Sequence, residues 1–231
     1  MTIQRWGLLI WMFCQVAFAM GHQVNEDQAI DQVIARYGLR TEPELIRAFH
    51  RAHVSYPPRD VALLAFKKER HMELWAKNPQ EKRWHYIYRY PLTAFSGQLG
   101  PKLHERDGQI PEGIYRLTSF NPFSRWHLSM LIDYPNAFDR QQASKEGRRY
   151  LGSDIFLHGS NKSAGCLAVG DRAIEQLFTL ARRVGLPHVR LIIAPNDLRH
   201  SKPATSMRRQ PVWVANLYHN LSKKLRLFKE R

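Results

Sequence analysis

Between Val61 and Ala194 the apolar residues fall in short runs, each closed by charged residues, glycine or proline. Runs of four to eight such residues are strand-length, too short for most helices. Val61 to Phe66 and Met72 to Trp75 flank the polar turn Lys67-Lys68-Glu69-Arg70, which predicts a hairpin. Residues 84–95, rich in Tyr, Trp and Ile, predict a further strand, as do Ile114 to Ser119, His127 to Ile132 and Val189 to Ala194. Gly97 to Gly113 holds four glycines and two prolines and predicts a long exposed loop; Asp133 to Gly147 reads as a polar connection. Asp154 to Leu157 is a short strand that delivers His158.

Helical periodicity is confined to the flanks and one insertion. Ala29, Ile30, Val33, Ile34 and Tyr37 form a stripe that Gly38 can end, and a second short helix follows from Pro43 to His53. Asp171, as N-cap, opens a helix with Ala173, Ile174, Leu177, Phe178 and Ala181 on one face, and Gly185 stops it. Val214, Leu217, Tyr218, Leu221, Leu225 and Phe228 recur at helical spacing through Pro211 to Phe228. The expected class is α+β: a strand-rich domain, mixed sheet or sandwich, with helices before, within and after it.

The first residues are read as a leader. Arg5 precedes the apolar run Trp6 to Phe13, and Ala17-Phe18-Ala19 has the small-x-small form of a signal-peptide cleavage site. The run is short for a membrane span of about 20 residues, although an uncleaved anchor is the alternative. The expected organisation is a signal peptide over 1–19, a helical extension over 20–58, a catalytic domain over 59–198 and a basic linker with a helix over 199–231. The expected location is the periplasm.

Hydrophobic residues at 44% and charged residues at 24% exclude a chain disordered throughout. Two cysteines, Cys14 and Cys166, are too few for a disulfide scaffold or a Cys-rich zinc module. Loss of the leader leaves Cys166 alone, and a lone thiol in an exported chain marks a reactive group. No ligand spacing links the histidines, so neither metal nor cofactor is expected. The net charge of +15 implies an anionic partner.

Chemistry concentrates in Ile155-Phe156-Leu157-His158-Gly159-Ser160-Asn161-Lys162-Ser163-Ala164-Gly165-Cys166-Leu167-Ala168. A thiol is a weak nucleophile until ionised, and a neighbouring His can take its proton and hold the thiolate as an ion pair. Gly165 lets a substrate carbonyl approach the backbone, and the N–H groups of Gly165 and Cys166 are candidate oxyanion donors. Ser163 can hydrogen-bond within the loop and fix its shape.

His158-Gly159 followed by Ser163-Ala164-Gly165-Cys166 resembles the signature of the YkuD-type L,D-transpeptidases, and the short gap resembles their YafK-like branch. The segments Ala65 to Trp75, Gly100-Pro101-Lys102 with Asp107 to Gly113, Asn121-Pro122 with Ser124 to Ser129, and Tyr134-Pro135-Asn136 are similar in order, over residues 60–195. The resemblance implies attack by Cys166 on the carbonyl at the L-centre of diaminopimelate in a peptidoglycan stem peptide. His158 is then the general base, held through the carbonyl of Gly159, and terminal D-Ala leaves from a thioester. Arg125 and His127 become candidates for binding diaminopimelate carboxylates, and Tyr134 for lining the acyl site or the oxyanion hole; ordinary packing roles stay open for all three. Ala164 and Ala168 stand where many members carry larger polar side chains. That leaves the acceptor open: an amine on a stem or a lipoprotein, or water, as in an amidase or endopeptidase. A catalytically silent, basic murein-binding module is the reading outside enzymes.

After Leu198 there are nine basic residues and one acid, a local +8 out of the +14 left once Arg5 goes with the leader. This tail is read as a docking feature for an anionic wall, a membrane surface or a murein-linked lipoprotein, and not as a nucleic-acid footprint.

Overall fold

The computed structural model describes residues 6–206 and 209–229, with side chains from residue 26 onward. The expected leader motif, Ala17-Phe18-Ala19, falls outside the residues whose side chains are described. Among the described residues no helix is long and apolar enough to cross a membrane.

The strands are β1 (Asp60–Phe66), β2 (His71–Lys77), β3 (His85–Pro91), β4 (Gly113–Asn121), β5 (Ser129–Ile132), β6 (Phe156–His158), β7 (Leu167–Ala168) and β8 (Val189–Ala194). They form one sheet in the order β3-β2-β1-β8-β4-β5-β6-β7. The pairs β1/β8 and β6/β7 are parallel and the others antiparallel. β4 joins the two halves: Gly113 to Arg116 pair with β8, and Leu117 to Asn121 pair with β5.

The apolar runs Val61 to Phe66 in β1 and Leu191 to Ala194 in β8 signal strands covered on both faces. Val61, Leu63 and Ala65, with Leu191 and Ile193, face a core closed by α1 (Trp6–Arg51) and α3 (Asp171–Val184). Ala62, Leu64 and Phe66, with Ile192 and Ala194, face the opposite side, closed by α4 (Trp213–Leu225). The stripe from Val214 to Phe228 is therefore consumed by the core. The molecule is α+β: helices on both faces of a mixed sheet.

Three local expectations are corrected. α1 does not stop at Gly38 or restart at Pro43 but runs through both. A glycine costs about 1 kcal/mol in a helix interior, and α1 offsets it by packing on α3 and pairing Arg40 with Glu175, Glu42 with Arg183 and Glu44 with Arg172. Thr41 Oγ1 also donates to Tyr37 O at 3.0 Å within the same stretch. The expected connection over 133–147 contains α2 (Ala137–Lys145), started by a capping box in which Asn136 and Asp139 bond each other's backbone N–H. Asp171 is the first residue of α3 rather than its cap; Gly170 takes the cap position. Its carboxylate is used elsewhere, on Ser160 N at 2.7 Å.

Candidate active site

The site grows from the shortest parallel pair in the sheet. Leu157 pairs with Leu167, and His158 with Ala168. Side chains alternate along a strand, so buried Leu157 and Leu167 point to the core while His158 and Cys166 take the other face. Phe156 N–H donates to Cys166 Sγ at 3.4 Å, and the thiol lies 3.7 Å from Asp154 O. The parallel ladder thus brings a residue eight positions away onto the face of His158.

His158 is only 1% exposed. Its Nδ1 lies 2.6 Å from Gly159 O. A carbonyl only accepts, so Nδ1 carries the proton and Nε2 keeps its lone pair, the tautomer a general base needs. The Trp126 ring packs 5.8 Å from the imidazole, centroid to centroid. Gly159 has no room for a side chain: a Cβ there would meet Asp171 Oδ1 at 2.7 Å and Trp126 O at 2.8 Å. Gly165, at φ +115, adopts a backbone that disfavours any other residue.

Burial pushes the Cys166 thiol above its ordinary pKa, opposed by the Phe156 N–H and the charge of Lys102 and reinforced by Asp154. Burial likewise pushes His158 below the ordinary imidazole value, against the bond to Gly159 O. Both shifts favour uncharged partners. These directions run against the ion pair expected from the residue types alone.

The Cys166 loop is held by an ordered chain of hydroxyls. Gly165 N–H donates to Ser96 Oγ at 2.7 Å, Ser96 Oγ lies 3.0 Å from Ser163 Oγ, and Ser163 Oγ donates to Cys166 O at 2.8 Å. Since Ser163 spends its proton on the carbonyl, Ser96 must donate to Ser163. Ser163 thus fixes the loop from within, and Gly165 N–H is already engaged in the resting state. Sequence reasoning missed Ser96, along with Thr93, whose Oγ1 donates to Ser160 O at 2.7 Å and whose N–H donates to Ala168 O at 2.9 Å. Both lie after β3 in a stretch with no motif; only the folded chain brings them to the loop.

The three candidates for substrate contact fare differently. Arg125 is exposed and lays its guanidinium over Trp126, 5.4 Å from the ring centroid, which places it one ring away from His158. His127 is committed to the helix interface, with Nε2 2.8 Å from Glu175 Oε1 and its ring edge-on to Tyr37 at 5.1 Å. Tyr134 is 4% exposed and its hydroxyl faces two backbone carbonyls, Leu151 O at 3.2 Å and Lys102 O at 3.4 Å.

Comparison with known proteins adds a family and several relatives. The profile of the YkuD family, the L,D-transpeptidase catalytic domain, matches residues 60–212. Over 140 residues the chain is 32% identical to the "Putative L,D-transpeptidase YafK" of Escherichia coli K12, and equally to that of Escherichia coli O157:H7, covering 58% of this chain and 54% of each relative. The chain therefore spans about half the length of the curated relatives it matches. Among solved structures, Bdellovibrio bacteriovorus Bd1075 superposes with a TM-score of 0.44 at 21% identity, over 74% of this chain and 55% of that one. The helical cell shape determining protein Pgp2 of Campylobacter jejuni superposes with a TM-score of 0.49 at 19% identity, over 68% of this chain and 56% of that one.

Proposed function

Because the chain belongs to the YkuD family of L,D-transpeptidase catalytic domains, we propose that it is an exported cysteine acyl transferase acting on diaminopimelate in peptidoglycan stem peptides. The observation that carries this reading is the placement of Cys166 and His158 on one face of the β6/β7 pair, with the imidazole tautomer fixed by Gly159 O. As Sγ attacks the carbonyl at the L-centre of diaminopimelate, the thiol proton passes to His158 Nε2. The tetrahedral intermediate collapses to a thioester, and the imidazolium returns the proton to the departing amine of D-Ala. The acceptor amine then loses its proton to Nε2 as it attacks the thioester, and the thiol is regenerated. Cys166 N–H is a candidate oxyanion donor; Gly165 N–H joins it only by releasing Ser96 Oγ.

A second reading, hydrolysis of the thioester, is favoured by one observation. Ala168 is fully buried and bridged to Ala94, and Ala164 is exposed without a polar group. Neither offers a side chain to an acceptor amine, which leaves water as a competitor. The reading also places the chain in the periplasm, exported by its first 19 residues, with the basic face of α4 turned to an anionic wall, a membrane surface or a murein-linked lipoprotein.

Incubating the purified chain with murein and profiling the products tests the assignment. Diaminopimelate–diaminopimelate dimers with D-Ala release establish transfer, and shortened stems without new dimers establish hydrolysis. Identical profiles for wild type and Cys166→Ala would reject a catalytic role and leave a binding module.

A further inference from the structure

A groove outside the Cys166 loop lies where the last turns of α1 meet the edge strand β3 and the first turns of α3. Arg47, Arg51 and Arg172 line it against one carboxylate, Glu44. Glu44 is already engaged, since Arg172 Nη2 and Gln176 Nε2 (2.8 Å) both donate to it. Arg47 and Arg51 are exposed, one helical turn apart on α1, and have no ion-pair or hydrogen-bond partner among the described residues. The aromatic wall is Tyr88, 46% exposed, with its ring 4.8 Å from that of Tyr90. Tyr90 is 2% exposed, and its Oη lacks a hydrogen-bond partner among the described residues. A buried hydroxyl left unpaired is costly, so a polar atom reaching it would be bound favourably.

Two links set this groove beside the catalytic loop. Arg172 follows Asp171, whose carboxylate holds Ser160 N at 2.7 Å. Tyr90 stands three residues before Thr93, whose N–H donates to Ala168 O. A peptide entering between α1 and β3 is thus within a few residues of the loop that carries His158 and Cys166. The guanidinium fork matches a carboxylate in two parallel hydrogen bonds, and tyrosine faces suit the apolar parts of a peptide.

We propose that this groove binds a free carboxylate of the second stem peptide, the acyl acceptor, through Arg47 and Arg51 with Tyr90 as the buried donor. The proposal rests on the transferase reading above, but its test does not need turnover. The full chain carrying Cys166→Ala is titrated calorimetrically with a stem tripeptide ending in diaminopimelate, with the same peptide amidated at its carboxylates, and with inorganic phosphate. The free peptide should bind at least tenfold more tightly than the amidated one. Arg47→Glu with Arg51→Glu should weaken it at least tenfold, at an unchanged melting temperature. Tyr90→Phe should weaken it severalfold while leaving the fold intact or more stable, because the unpaired hydroxyl is gone. Equal binding by the charge-reversed chain or of the amidated peptide would overturn the proposal. So would displacement of the peptide by equimolar phosphate, which would make the groove a phosphate site. Intact, arginine-dependent peptide binding in a chain whose wild type transfers no acyl group would reject the reaction and keep the groove.

Discussion

A half-buried thiol and a buried imidazole, each biased toward its uncharged form, define how this site would start its reaction. In the proposed mechanism proton transfer accompanies attack, because burial favours the thiol over the thiolate. Alkylation of Cys166 should therefore be slower at pH 7 than that of free cysteine, and its rate should rise with a midpoint above the ordinary thiol value of about 8.5. A midpoint below that value would restore the ion pair. For His158 the folded pKa is depressed, so its proton goes on only below the ordinary imidazole range of about 6.5. The acid limb of kcat/KM should accordingly lie below about 6.5, with the neutral base fully available above it. The same shift makes folding less favourable as pH falls from the unfolded value through the folded one, because the unfolded chain takes up that proton first. Ser96 carries a second prediction at this scale. Ser96→Ala strips Gly165 N–H of its acceptor and Ser163 of its donor, and should lower kcat about tenfold, as expected for lost positioning, with partial recovery in Ser96→Thr. Combined with Ser163→Ala, the losses should be non-additive by roughly 0.5–3 kcal/mol in a double-mutant cycle; additive losses would show that the two hydroxyls act apart. His158, Cys166 and Ser163 could be singled out from the sequence because their chemistry is local to one strand and loop. Ser96 could not, since 67 residues separate it from Ser163.

At the scale of elements, a buried ion pair ties the C-terminal helix to the loop that approaches Gly165. Lys67 Nζ meets Glu112 Oε1 at 2.9 Å and donates to Gly100 O and Ile110 O. Glu112 also accepts from Gly100 N at 2.8 Å and from Tyr218 Oη of α4 at 2.8 Å. The loop so anchored passes Gln109, whose backbone oxygen would lie 3.3 Å from a Cβ on Gly165. Breaking the pair from one side leaves a desolvated charge, so Lys67→Met should destabilise the fold by about 3–5 kcal/mol, read as a drop in the urea midpoint. Lys67→Met with Glu112→Leu should cost less than the sum of the single changes; full additivity would remove the pair from this role. Strands such as β1 and β8 were legible because burial on both faces leaves the apolar runs Val61 to Phe66 and Leu191 to Ala194. The break expected at Gly38 and Pro43 was misjudged because the local cost is met by arginine–carboxylate pairs from α3, more than a hundred residues away. α2 escaped notice because its nine residues bury only Gln142 and Ala143, leaving almost no apolar stripe to read.

For the whole molecule, the question is where the excess charge of +15 is spent. One of the nine basic residues after Leu198 is structural: Arg199 is bonded to Asp197 and Glu73 and packs over Phe66 and Trp75. Among the described residues, Lys202, Arg209, Lys223, Lys224, Arg226 and Lys229 are exposed, and at α4 the division is clear. Val214, Leu217, Tyr218, Leu221 and Leu225 are buried in the second core, while Lys223 and Lys224 of the last turn, and Arg226 and Lys229 just beyond it, are exposed. With its apolar face unavailable for insertion into lipid, the helix can meet an anionic surface only through these charges. Each is worth roughly 1 kcal/mol near such a surface, and screening shortens their reach to about 8 Å at physiological salt. Co-sedimentation with purified murein sacculi, and separately with anionic vesicles, should therefore be strong at low salt and lost as salt rises. Replacing Lys223, Lys224, Arg226 and Lys229 together by Glu should abolish it at an unchanged melting temperature, since none of the four belongs to the core. Salt-resistant binding, or binding unaffected by the reversal, would move the docking surface elsewhere. Vesicle binding without sacculus binding would assign the tail to the membrane rather than the wall.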